Sequence, residues 1–239
     1  MYIPISNQLL SQSGDLLKFI NNMPKFLLES FNFNEQMFSK PEGIFGSEGM
    51  SFVYILGAVF SAMLISKVFA NEYEKGTIEY LCVKPISRSS LYITKFTNIM
   101  INILFLNILF TISVVSMFAI FMEYDYNPNI LLGFGIYSLT VQIFFSSISV
   151  IISILTQNSS SNMGISIGIL IFMYFGDTMA NMIDATSWIK YFSIFHYIPL
   201  METVLEEKVF WINSLLIILI SLGIYYFSYY LFKNKDINI

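Results

Sequence analysis

The sequence predicts an all-α fold: a polytopic helical membrane protein with five membrane-crossing helices and amphipathic helices at the interface. Three observations carry the prediction. Of 239 residues, 56% are apolar and 12% charged, about half the roughly 25% of a soluble domain, and mean hydropathy is +0.67. Five stretches stay apolar for about 20 residues, the length a helix needs to cross a hydrocarbon core of roughly 30 Å. None of them alternates with period two, which argues against a transmembrane barrel.

The spans fall at residues 52–70, 97–122, 130–155, 163–182 and 210–232. Their orientation follows from the basic residues between them. Lys67, Lys75, Lys84, Arg88, Lys95, Lys233 and Lys235 gather on one side. The other side holds Lys18, Lys25, Lys40, Lys190 and Lys208, but also eleven of the sixteen acids, and the loop 123–129 has no basic residue. The connector 71–96 and the C-terminus are therefore expected in the cytoplasm. Residues 1–50 then form an extracytoplasmic amphipathic segment, and 51–239 the transmembrane domain.

Within the first segment, residues 7–31 are amphipathic, interrupted at Pro24, and lack the basic start and apolar run of a signal peptide. Such a helix lies in the interface plane. The segment 183–209 carries Trp188, Tyr191, Phe192, Tyr197 and Pro199, aromatics suited to the headgroup level.

Composition also excludes functions. A formal charge of −4 without a basic patch removes nucleic acid as a partner. With Cys82 the single cysteine and His196 the single histidine, no intramolecular disulfide is possible, and a soft-metal site lacks ligands. None of the twelve glycines fits the phosphate-cradling pattern G-x-x-x-x-G-K-[ST], so any ATP chemistry must come from another polypeptide.

The connector is the most structured of the polar segments. Gly76 can take the left-handed conformation that ends a helix, and Thr77 can cap a new one. That helix is short, with Ile78, Leu81 and Cys82 near one face, because Pro85 cannot extend it and biases Lys84 toward extended backbone. Ser87, Ser89 or Ser90 can then cap the helix rising into the second span. Two readings follow: a rigid knob that a soluble partner grips, or a solvated loop.

Three features inside the membrane bear weight. Asp177 is costly in hydrocarbon and marks a pathway or a paired site by default; alternatively the helix frays at Gly176 and the carboxylate reaches water. Asn98 and Asn102, four apart, can hydrogen-bond to neighbouring helices. Gly164-x-x-x-Gly168 permits close packing of another helix of the chain.

The run Glu72-x-Glu74-x-Gly76-Thr77-x-Glu79-x-Leu81, followed by Pro85-Ile86-Ser87-Arg88 and Lys95, resembles the cytoplasmic signature of the type-two ABC transporter permeases, in the branch of bacitracin-resistance-like and sodium-efflux-like membrane subunits. Phe232-Lys-Asn-Lys-Asp236-Ile237, the external Tyr191-Phe-Ser-Ile-Phe-His-Tyr-Ile-Pro199, and Asn22-Met-Pro-Lys-Phe-Leu-Leu-Glu-Ser-Phe31 ahead of Pro41-Glu-Gly43 are similar to that branch as well. The family normally has six spans, and the sequence opens about where the first should end. The resemblance therefore implies that the first helix is missing, through truncation, a misplaced start or a split gene.

The resemblance further implies that the connector is a coupling helix docking on a separate ABC ATPase subunit. Ile78, Tyr80, Leu81 and Pro85 would pack against it, and Glu79 and Arg88 would make polar contacts. Glu72 and Glu74 would stand at the membrane edge, with Gly76, Thr77, Ser87 and Lys95 completing the set. ATP and Mg would sit on the ATPase, with no cofactor bound directly by this chain, which would be a transport subunit rather than an enzyme. Two permease copies, as homo- or heterodimer, would work in the cell membrane as an exporter. The rivals are an ion-coupled secondary transporter or an intramembrane enzyme, for which Asp177 is the one deeply placed ionisable group, and a plain membrane anchor, which gives the capped connector no purpose.

Overall fold

The structure is a computed structural model and describes residues 40–77, 86–182 and 184–235. Among them the fold is all-helical, without strands. The first helical run is unbroken from Pro41, which as the first helical residue has no N–H to leave orphaned. It comprises α1 (Pro41–Ile44), a π-segment (Phe45–Gly49), α2 (Met50–Ile65), a second π-segment (Ser66–Ala70) and α3 (Asn71–Glu74). Gly76 ends the run at φ +67°, its N–H bonded to the Tyr73 carbonyl at 3.1 Å.

Next comes α4 (Arg88–Phe121), capped by Ser87, whose Oγ accepts the Ser90 N–H at 3.1 Å. It is followed by α5 (Pro128–Thr156) and α6 (Ser159–Met182), each opened by an asparagine. Asn127 Oδ1 takes the Asn129 N–H, and Asn158 Oδ1 takes the Ser161 N–H. Two 3-10 segments (Asp184–Phe192 and Ile194–Tyr197), the short α7 (Leu200–Leu205) and α8 (Trp211–Asn234) complete the chain.

Among the described residues five helices are long and apolar enough to cross a membrane: Met50–Glu74, Arg88–Phe121, Pro128–Thr156, Ser159–Ala180 and Trp211–Asn234. This is a multi-pass membrane protein. The helices outrun the apolar stretches that announce them, since hydropathy marks the part facing lipid while caps set the ends. The clearest case is α4, which begins at Arg88 rather than near residue 97 because Ser87 caps it there. Burial differs sharply between spans. The apolar stretch of α5 is 72% buried against 22% for α4, and α4 presents Ile101, Phe105, Ile108, Ile112 and Ile120 outward.

The chain divides into two compact units, and each long helix contributes to both. In the unit formed by the stretch through Tyr54 with 107–138 and 171–214, Phe45 stacks edge-on against Phe118 at 5.8 Å and lies 6.1 Å from Phe134. Gly46 admits that packing, because a Cβ there would stand 2.8 Å from Phe134 Cζ. Glu42, only 2% exposed, accepts the backbone N–H of Asn127. Phe195 is flanked by Tyr54 and Tyr174 at 5.6 and 5.4 Å.

The other unit, 55–106 with 139–170 and 215–239, is built on Ile65, Phe69, Tyr92, Ile99, Ile103, Ile143, Val150, Ile154, Tyr225 and Phe232. The rings of Phe69, Tyr92 and Phe232 interlock at 5.7 to 6.0 Å. Small hydroxyls line the neighbouring polar seam: Ser149 Oγ donates to Asn162 Oδ1 and Ser166 Oγ to Ser149 Oγ.

Three sequence expectations are corrected. Among the described residues Asn98 and Asn102 bond to each other rather than to another helix. Both are exposed, and Asn102 Nδ2 donates to the Asn98 carbonyl at 2.8 Å and Asn98 Oδ1 at 2.7 Å. The inward face of this part of α4 runs through Lys95, Ile99 and Ile103, one residue out of phase with the asparagines.

Among the described residues no other helix packs against the glycines at 164 and 168. Nothing lies within 4 Å of where their Cβ atoms would stand, because α6 turns Asn162, Ser166 and Leu170 inward, and the polar pair on that face has partners to meet.

Nor does the helix fray at Gly176. The run continues to Met182, and Ile189 fills the place of the absent side chain, 3.0 Å from an ideal Cβ. Asp177 is thus half-buried, its Oδ1 shielded and without a hydrogen-bond partner among the described residues. The titratable groups acting on it electrostatically are His196 and Lys190.

Candidate functional site

The connector's middle, with Ile78, Glu79, Tyr80, Leu81, Cys82 and Pro85, lies outside the described residues. Its two flanks are described, and they enter one network within a single unit.

On the entering flank, α3 is short and follows directly on the π-segment Ser66–Ala70. Glu72 forms an ion pair with Lys95 of α4. The same ammonium donates to the Val68 carbonyl inside the π-segment and stands 5.1 Å from the Phe69 ring centre. Lys95 is 6% exposed, so a long cationic side chain is spent wholly on neighbours within the chain. Two residues on, Glu74 Oε2 accepts the backbone N–H of Ser159 at 3.0 Å, at the start of α6. Ser66 also meets Ser159, the two hydroxyls sharing a bond of 2.6 Å. Thr77 Oγ1 donates back to the Glu72 carbonyl at 3.3 Å, on the side of the helix just ended.

On the leaving flank, Arg88 sends Nη1 to the carbonyls of Lys235 at 2.6 Å and Lys233 at 3.4 Å, at the end of α8. Ser89 bonds the Tyr229 hydroxyl at 2.9 Å. One turn deeper, Tyr92 donates to the Tyr225 carbonyl at 2.9 Å and touches Ser228. Lys235 in turn donates to the Ile154 carbonyl near the end of α5. Burial there pushes the Lys235 ammonium below the ordinary lysine range.

The contacts share one electrostatic logic. A helix start carries partial positive charge and a helix end partial negative charge. Here a carboxylate (Glu74) faces the start of α6, while cations (Arg88 and Lys235) face the ends of α8 and α5. Each cap is supplied by a residue from a different element, and together with the Glu72–Lys95 ion pair these contacts tie one end of each of the five spans. Lys95 joins α3 and α4, Arg88 joins α4 and α8, Lys235 joins α8 and α5, and Glu74 joins α3 and α6.

Sequence reasoning placed Glu72, Glu74, Gly76, Thr77, Ser87, Arg88 and Lys95 in the connector set, and the structure brings all of these to the two flanks. It engages Glu72, Glu74, Arg88 and Lys95 within the chain. It adds Ser66, Val68, Ser159 and Lys235. Of these, the Asn158-Ser-Ser-Ser run carried a readable signal as a helix start; a carbonyl such as that of Val68 has none. Asp177, Asn98 and Asn102 are not part of the network.

In comparison with known proteins, a family model described as ABC-2 family transporter protein matches residues 6–237. No curated protein and no solved structure matches the chain.

Proposed function

Because the chain belongs to the ABC-2 transporter family, whose membrane components normally work with an ABC ATPase, we propose that it is the permease subunit of an ATP-driven exporter of the bacitracin-resistance-like and sodium-efflux-like branch. Residues 71–96 form the coupling connector, held in the cytoplasm with the C-terminus. ATP and Mg sit on the ATPase. Two permease copies complete the transporter, and ATP-driven closure of the two ATPase subunits moves the two connectors as levers that shift the spans between two arrangements.

The observation that supports this best is the anchoring of both connector flanks in the ends of the five spans, through Glu74 on one side and Arg88 on the other. A force applied between these residues reaches every span through a side chain already bonded to it. Family membership sets this reading above an ion-coupled transporter or an intramembrane enzyme.

The test is capture of the ATPase. Glu79→Arg with Leu81→Ala, both in the connector's middle, should abolish co-purification of the ABC ATPase subunit and ATP-dependent export while leaving the thermal midpoint of the permease unchanged. Undiminished capture and export would overturn the coupling role of residues 78–85.

A further inference from the structure

Glu72 and Lys95 invite the reading of docking residues, since they lie in the charged connector region. Their geometry argues otherwise. A lysine 6% exposed, bonded to a carboxylate, a carbonyl and an aromatic face of its own chain, offers nothing to a soluble partner.

The backbone beneath it is unusual. Lys95 and Ser159 both attach to the same five residues, Ser66–Ala70, and these are in π conformation. A π-segment holds one residue more per turn than α-helix requires, and such segments recur at functional positions. Moving the π-turn by one residue trades i→i+5 for i→i+4 backbone hydrogen bonds, so the two registers are discrete. Each residue of an α-helix advances about 100° around the axis. A one-residue change of register in Ser66–Ala70 therefore swings Glu72 and Glu74 about 100° around the helix, off Lys95 and off the Ser159 N–H together. Only Lys75 and Gly76 separate Glu74 from the connector's described end at Thr77, so a pull on the connector acts directly on this turn.

We propose that the Glu72–Lys95 pair and the π-segment Ser66–Ala70 form a two-position latch that hands movement of the connector to α4, making Glu72 and Lys95 positioning residues of the transport cycle rather than contacts to the ATPase. The proposal rests on the permease reading above. It departs from the expectation that these two residues belong to the docking surface.

The test uses the complex of this chain with its ABC ATPase subunit. Backbone amide exchange is compared between the nucleotide-free complex and the complex trapped with ATP and vanadate. In the wild type, exchange should change at 66–74 and at 88–96 together; unchanged exchange at 66–74 overturns the latch without touching any residue.

The double variant Glu72→Gln with Lys95→Met removes both charges, which avoids leaving one buried and unpaired. It should capture the ATPase as the wild type does and keep the change at 66–74 while losing it at 88–96. ATP-dependent export should be lost with it. A double variant that keeps the change at 88–96 shows the pair to be structural only and overturns the proposal. A double variant that no longer captures the ATPase, though folded, assigns the pair to docking and overturns it as well. If the wild-type chain captures no ATPase at all, the permease reading falls and the latch with it, an outcome distinct from intact capture with unlinked flanks.

Discussion

The Tyr137 hydroxyl bridges Thr203 and the backbone of Phe210, at 2.8 Å to each. The proton positions follow from the neighbours. Thr203 gives its own hydroxyl proton to the Pro199 carbonyl, so Tyr137 donates to Thr203 and accepts the Phe210 N–H. One fully buried oxygen thus secures both α7 and the residue that leads into α8. Tyr137→Phe keeps the ring and orphans the Phe210 N–H, and should cost about 1–3 kcal/mol, read as a lower unfolding midpoint in detergent.

Glycines in this protein divide by what surrounds them. At Gly135 an added Cβ would lie 2.4 Å from Thr111 Oγ1, and at Gly133 2.6 Å from a Val209 methyl. Both neighbours are β-branched and cannot swing aside. Gly135→Ala and Gly133→Ala should each destabilise by about 1–3 kcal/mol. Gly164→Ala and Gly168→Ala, with open space around them, should be neutral or stabilising by up to about 1 kcal/mol from helix propensity. A single set of melting curves compares all four.

Gly76 has free space but a demanding backbone, with φ at +67° and nothing within 4 Å. Gly76→Ala should lose about 1–2 kcal/mol for holding an L-residue in that region. Asn tolerates the conformation better, so Gly76→Asn should unfold nearer the wild type. Equal loss from the two variants would show that the turn is not what the position requires.

Asp177 carries a shielded oxygen without a partner. Asp177→Asn keeps the shape and removes the charge, relieving part of the penalty that a buried unsatisfied polar group carries, of about 1–3 kcal/mol. The variant should melt above the wild type. Export that also survives would leave Asp177 without a transport role, whereas loss of export with raised stability would mark it as part of the substrate path.

What was legible in the sequence is local, and what was not is orientation. Gly76 and Ser87 could be read directly, because a missing Cβ and a capping hydroxyl act on their own few residues of backbone. The five apolar runs could be read because the bilayer sets their length. Which side of a span faces its neighbours could not. In a membrane, apolar residues cover both faces, so α4 has no hydrophobic stripe to separate the inward Ile99 and Ile103 from the outward Ile101 and Phe105. Asn98 and Asn102 were misplaced for that reason.

The connector's charges were visible as a cluster, but their partners are largely backbone atoms. The carbonyls of Val68, Ile154 and Lys235 leave no trace in side-chain chemistry. The π-segments are equally silent, since Ser66–Ala70 has a composition that suits an α-helix just as well.

One dimension of α4 has a mechanical consequence. With 34 residues it is about 51 Å long at 1.5 Å per residue, against a hydrocarbon core of roughly 30 Å. Fitting it wholly inside would need a tilt of about 54°, beyond the 0–40° that membrane helices adopt. The helix therefore works as a stanchion. At any attainable tilt part of its length stands outside the oily layer, and the polar first turn, with Arg88 and the Ser89 and Ser90 hydroxyls, is the end whose chemistry suits water.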